Sequence, residues 1–170
     1  RLTDYDSAYL NKPSTTNKAS ITVSGGNISG NLQINSNTEF SVSGGNFSQP
    51  VAKEYLDSNL NAELKRASGE TPYSYYASVD DATAAAQPGD SVTDLSAAVG
   101  EETVQVTLDY FGEETNTTIT GKKGSSLSLR EPTREGYMFL GWFTDAESGD
   151  KVTNETSFQE SVTIYARWGG

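Results

Sequence analysis

Cysteine and histidine are both absent from this chain of 170 residues. Without cysteine there is no disulfide framework and no thiolate metal site. Without histidine the commonest general base, the commonest zinc ligand and the usual switch near neutral pH are missing together. Positive charge is scarce, with 12 lysines and arginines against 23 aspartates and glutamates and a formal net charge of −11. Phosphate backbones are bound by basic stripes, so nucleic acid is not an expected partner, and an anionic membrane surface is disfavoured for the same reason. No apolar run is long enough to span a bilayer, so direct membrane insertion is not expected either. No signal peptide or wall-sorting tail is visible, so an extracellular chain would be a fragment of a longer secreted protein. Only 34% of residues are hydrophobic, which leaves material for a thin core. The abundance of glycine, serine, threonine and asparagine suits short strands and turns.

What is present begins with an internal repeat. Ile21-Thr22-Val23-Ser24-Gly25-Gly26-Asn27-Ile28-Ser29 returns as Phe40-Ser41-Val42-Ser43-Gly44-Gly45-Asn46-Phe47-Ser48, nineteen residues later. A fixed period of about 20 residues with one strand and one turn per copy points to stacked units, since one copy alone cannot bury its apolar side. Stacking would place Val42 over Val23, Phe47 over Ile28 and Asn46 over Asn27, with the asparagines bonded along the stack and the paired glycines allowing a tight corner. The pattern resembles a right-handed parallel β-helix; a pair of antiparallel hairpins with similar turns is the alternative. Leu32 and Ile34 form a further short strand between the copies. Before the repeat, Tyr5, Tyr9 and Leu10 are placed as an edge, a cap or a loose tail.

Composition shifts after the repeat. Pro50 to Leu56 reads as a helix start with Ser48 as N-cap, continuing an apolar side through Leu60 and Leu64. Tyr73, Tyr75 and Tyr76 mark a strand and offer either an aromatic patch for a sugar or half-buried cover over a thin core. Ser78 to Ala86 is a short capped helix stopped by Pro88-Gly89, and Ser91 to Leu95 a strand. Beyond a boundary near Ala97–Glu102, Val104, Val106, Leu108 and Tyr110 alternate with polar residues. Thr117–Thr120 and the alternating Leu127 and Leu129 give two more strands.

The densest apolar run, Gly136-Tyr137-Met138-Phe139-Leu140-Gly141-Trp142-Phe143, reads as a strand buried on both faces, with Tyr137, Phe139 and Phe143 on one side and Met138, Leu140 and Trp142 on the other. The last strand, Ser161 to Trp168, sets Val162, Ile164, Ala166 and Trp168 on one face. Together, P-T-R-E-G-Y-x-F-x-G-W-F-T-D, an acidic glycine turn and V-T-I-Y-A-R-W resemble the Listeria–Bacteroides repeat, the family that includes the B repeats of internalin-type surface proteins. The resemblance covers roughly the last third to two fifths of the chain. It implies a β-grasp-like domain of bacterial extracellular proteins without catalysis as a class property. It makes Gly136, Tyr137, Phe139, Gly141, Trp142, Tyr165 and Trp168 structural motif residues, with Trp142 and Trp168 as core or core-edge residues in preference to sugar-stacking platforms.

The expected fold is therefore mainly β: a short parallel β-helix-like solenoid with small helices over residues 1–98, then a β-grasp-like mixed-sheet domain over 102–170. The acidic turn with Asp145, Glu147 and Asp150 lacks the spacing of an EF-hand loop and reads as solvated. Asp80, Asp81 and Asp90 read as carboxylates around a helix cap. No phosphate loop, nucleophile elbow or dense acid–base cluster is present, so neither enzyme activity nor a cofactor is expected. The Asn-x-Ser/Thr sequences at Asn27, Asn46, Asn116 and Asn154 read as by-products of asparagine-rich turns. The expected role is an adhesin, stalk or spacer module on the bacterial cell surface, facing a host or neighbouring-cell protein or glycan and able to self-associate through sheet edges. The alternative is a carbohydrate-binding or polysaccharide-processing accessory module.

Overall fold

The computed structural model describes residues 4–5, 9–10, 19–112 and 114–170. Its strands are β1 (Asp4–Tyr5), β2 (Tyr9–Leu10), β3 (Ala19–Ile28), β4 (Gln33–Ile34), β5 (Thr38–Phe47), β6 (Ala62–Lys65), β7 (Tyr73–Tyr76), β8 (Ser91–Asp94), β9 (Thr103–Asp109), β10 (Thr117–Lys122), β11 (Met138–Phe143), β12 (Lys151–Val152) and β13 (Val162–Gly169). One α-helix, α1 (Val79–Ala85), is present among the described residues. Eleven strands form one open mixed sheet in the order β1-β3-β5-β7-β6-β8-β10-β9-β13-β11-β12, while β2 and β4 pair apart from it. The chain is thus mainly β, as its composition implied.

The repeat stacks in parallel, excluding the hairpin alternative for these two copies. Val23 lies opposite Val42, Asn27 opposite Asn46 and Ile28 opposite Phe47. The register slips at the glycine corner, where Ser24 faces Gly44, and then returns. That slip brings backbones together: a Cβ on Gly44 would sit 2.7 Å from the Ser24 carbonyl oxygen. The Asn46 side-chain amide donates to Asn27 Oδ1 at 3.0 Å, completing the asparagine ladder. β1 adds a parallel pair to β3, and β2 pairs in parallel with β4. Parallel pairing does not continue as rungs through residue 98, because β5–β7, β7–β6 and β6–β8 are all antiparallel.

Two further expectations are corrected. The helix from Pro50 is only a 3-10 turn at Lys53–Tyr55 with no side-chain cap. Ser48 cannot cap it: its N–H extends the rung pairing to the Ile28 carbonyl, and its hydroxyl accepts from Gly30 N at 2.8 Å. Leu127 is buried, but the segment around it forms no strand beyond a bridge between Ser126 and Ser157. By contrast α1 is capped as expected, with Asp81 N–H donating to Ser78 Oγ at 3.1 Å.

Two apolar clusters fill the interior. One contains Val23, Ile28, Val42, Phe47, Val51, Leu56, Leu60 and Tyr75. The other runs from Ala62 and Leu64 through Ala82 and Val92 to Val106, Ile119, Trp142 and Ile164. It therefore crosses the connection at residues 98–102, and β8 pairs in parallel with β10 across that connection. No helix among the described residues is long and apolar enough to cross a membrane.

Candidate functional site

The aromatic strand departs from simple alternation. Between Phe139, which faces Trp168, and Gly141, which faces Arg167, the register shifts by one residue at Leu140. Such a bulge reverses which face the following side chains occupy. Phe139 and Trp142 consequently both face the core, their rings 5.7 Å apart, although they are three positions apart. Trp142 is 4% exposed, whereas Met138, at 69%, and Leu140, at 47%, lie in solvent beside the half-exposed Tyr137. The strand is thus buried on one face only, correcting the two-faced expectation.

A file of edge-to-face rings follows: Tyr110 on Trp142 at 5.5 Å, Trp142 on Phe139, and Phe139 on Trp168 at 5.5 Å. Both indoles also hold backbone. Trp142 Nε1 donates to the Arg130 carbonyl at 3.3 Å, and Trp168 Nε1 donates to the Tyr110 carbonyl at 2.7 Å. Trp142 is core and Trp168 is half-buried. The two accepting residues, Arg130 and Tyr110, line a cleft of about 490 Å³ together with Trp168.

The cleft is lined by Arg130 and Arg134 from the loop before β11, by Tyr110 and Glu114 around the turn after β9, and by Gln87 and Trp168. The Arg134 guanidinium stacks 4.1 Å from the Tyr137 ring and 5.9 Å from Trp168, while donating to the Phe111 carbonyl at 3.2 Å. Arg130 donates to Gln87 Oε1 at 3.3 Å. Neither arginine is within ion-pair distance of a carboxylate among the described residues, where the ion pairs are Arg66–Asp90 and Lys123–Glu102. Burial pushes the Tyr110 hydroxyl above the ordinary tyrosine range, against the opposing effect of its 2.7 Å bond with Thr117. It therefore stays protonated at neutral pH. Phe111, exposed and with φ of 51°, stands at the rim.

The three tyrosines of β7 do not make one platform. Tyr75 is buried, and its hydroxyl accepts from Val51 N at 2.7 Å and donates to Glu63 Oε2 at 3.0 Å. Tyr73 packs beside it against the N-terminal cluster, while Tyr76 packs against the other cluster. Only Tyr73 and Tyr76 keep partial exposure, on opposite faces of the sheet.

Of the motif residues, Phe139, Trp142 and Trp168 come together in the ring file, and Trp168 lines the cleft. Gly136 and Gly141 carry positive φ at the turn into β11 and after its bulge. Tyr165 pairs with Phe143 on β11. In the acidic turn, Asp145 Oδ1 accepts from Glu147 N and Ser148 N, and these bonds hold its carboxyl below the usual range. Arg167 braces the same turn through the Asp145 and Ser148 carbonyls. No group of three or more carboxylates suited to a metal ion occurs among the described residues.

Sequence reasoning missed the arginine cleft and the role of Asp90. Asp90 is 4% exposed and accepts from Arg66 Nη1, Ala67 N and Gln87 N, fixing the turn that delivers Gln87. The Pro88-Gly89-Asp90 turn behind an alanine-rich helix was the only local signal.

No curated protein matches the chain. Residues 105–167, just over a third of the chain, match the Listeria-Bacteroides repeat domain, a repeat typical of bacterial surface or secreted proteins.

Proposed function

We propose that this chain is a non-catalytic extracellular module of a bacterial cell-surface protein, acting as a stiff spacer or adhesive segment. The observation that carries the reading is the parallel pairing of β8 with β10, which runs one sheet and one apolar cluster from residue 62 to residue 166. A joint made of backbone hydrogen bonds and packed side chains holds orientation far better than a flexible linker. The acidic surface, at a net charge of −11, keeps such a segment soluble at high local density. Its partner would be a host or neighbouring-cell surface protein or glycan, or a second copy at a sheet edge.

Pulling single molecules by their two ends tests the joint. A spacer of this build unfolds from residue 62 to 166 in one event. Two events separated at residues 98–102, or release of the chain from source cells only after lysis and never by surface proteolysis, would remove the reading.

A second reading, a glycan-binding accessory module, is favoured by the cleft between Arg130, Arg134 and Trp168. Its polar lining and aromatic wall suit a sugar, and its volume of 490 Å³ lies within the range of ligand sites, about 300–1,000 Å³.

A further inference from the structure

We infer that the cleft takes a saccharide unit bearing a single carboxylate, with Arg130 and Arg134 holding the carboxylate and Trp168 lying beside the sugar ring. This inference rests on the glycan-binding reading. Arg134 is presented as a planar fork: its face is against Tyr137 and one nitrogen is spent on the Phe111 carbonyl. The remaining N–H groups have no acceptor among the described residues. A guanidinium held this way is pre-organised for a carboxylate, and charge-assisted bonds of this type are about twice as strong as neutral ones.

Arg130 has no ring against it among the described residues, but its carbonyl accepts from Trp142 Nε1 and its guanidinium donates to Gln87 Oε1. In a chain of net charge −11, Arg130 and Arg134 bring two cations to one cleft, neither within ion-pair distance of a carboxylate among the described residues.

The same cleft excludes dense polyanions. Glu114 and Glu135 line it as well, so a sulfated or phosphorylated chain would meet like charge. They serve instead as acceptors for hydroxyl groups, and Thr133 and Gln87 add mixed donors and acceptors. One carboxylate among several hydroxyls is the description of a uronate-type sugar. An acidic peptide offers the carboxylate without the hydroxyls.

The test is an NMR titration of the full chain with trigalacturonate, with neutral galactotriose and with triglutamate, following the Trp168 indole N–H. Trigalacturonate is expected to shift that resonance, and galactotriose to bind at least about tenfold more weakly. Arg134→Gln and Arg130→Gln, each confirmed folded by circular dichroism, are expected to abolish the difference between the two sugars.

Equal binding of both sugars would overturn the carboxylate inference and leave the glycan reading standing. Equal or tighter binding of triglutamate would overturn the inference in favour of a peptide. No response to any probe would overturn both readings of the cleft, while the spacer reading would be unaffected.

Discussion

The stack of β5 on β3 and the pairing of β11 with β13 are made from similar material, glycine and large apolar side chains, yet they solve register differently. In the stack each residue lies on its own copy, Val42 on Val23 and Asn46 on Asn27, so the sequence period is also the spatial period. Even the slip at the glycine corner is corrected within a few residues. In the C-terminal pair nothing repeats. A single extra residue at Leu140 inverts the faces of everything after it, and only this inversion brings Trp142 onto the ring file with Phe139. Repetition makes register redundant and therefore tolerant; a single bulge makes it depend on one position.

The sharpest way to break the comparison is at the non-repeated end. Trp142→Ala removes the ring at the centre of the file together with the bond to the Arg130 carbonyl. Loss of a buried large aromatic costs about 3–5 kcal/mol. Calorimetry should show one lowered transition including the strands from β6 to β13, because they share its cluster. An unchanged Tm would mean the ring file contributes nothing.

Next is Asp90→Ala, which leaves the Arg66 guanidinium with only the Ala85 carbonyl among the described residues and strands two backbone N–H groups. Arg66 is 38% exposed, so water relieves part of its loss, and the expected cost is about 2–4 kcal/mol in chemical denaturation. A cost below 0.5 kcal/mol, the scatter of ordinary surface substitutions, would show that the turn holds without its carboxylate.

Gly44→Ala probes the repeated end. The added methyl would meet the Ser24 carbonyl oxygen at 2.7 Å, and neither strand can retreat without opening the ladder. The expected loss is about 1–3 kcal/mol. If Gly44→Ala were neutral, the stack would be looser than its register implies.

The same contrast explains what the sequence made legible. Repeated or strictly alternating stretches were readable: the paired copies, Val104, Val106, Leu108 and Tyr110 on the buried face, and Ile164 and Ala166 in β13. The Ser78 cap was readable because its chemistry is local. What failed needed knowledge of a distant partner. Ser48 resembled a helix cap until Gly30 occupied its hydroxyl. The tyrosines of β7 left a sugar patch and half-buried cover both open, and the choice needed the two apolar clusters that take Tyr75 and Tyr76 on opposite faces. The cleft draws on α1's end, the turn after β9, the loop before β11 and the end of β13, and no single segment carries its signature.

The smallest expected effect lies where the two regions meet, at Glu63 in β6. Its carboxyl accepts the Tyr75 hydroxyl at 3.0 Å. Burial raises its pKa above the ordinary glutamate value of about 4.3, and the opposing effects of the Tyr75 bond and of Lys65 are smaller. A carboxyl with a raised folded-state pKa favours the fold while protonated. That contribution is whole below the ordinary value and is lost as pH climbs through the raised one. Above the raised value the chain is without it. Glu63→Gln cannot ionise and keeps an oxygen for the Tyr75 hydroxyl, so it should raise Tm slightly above that of the parent once pH exceeds the raised value. The advantage should fade to nothing below pH about 4. An advantage that grew on acidification would mean that Glu63 is stabilised as the anion, and that Lys65 and the Tyr75 bond outweigh its burial.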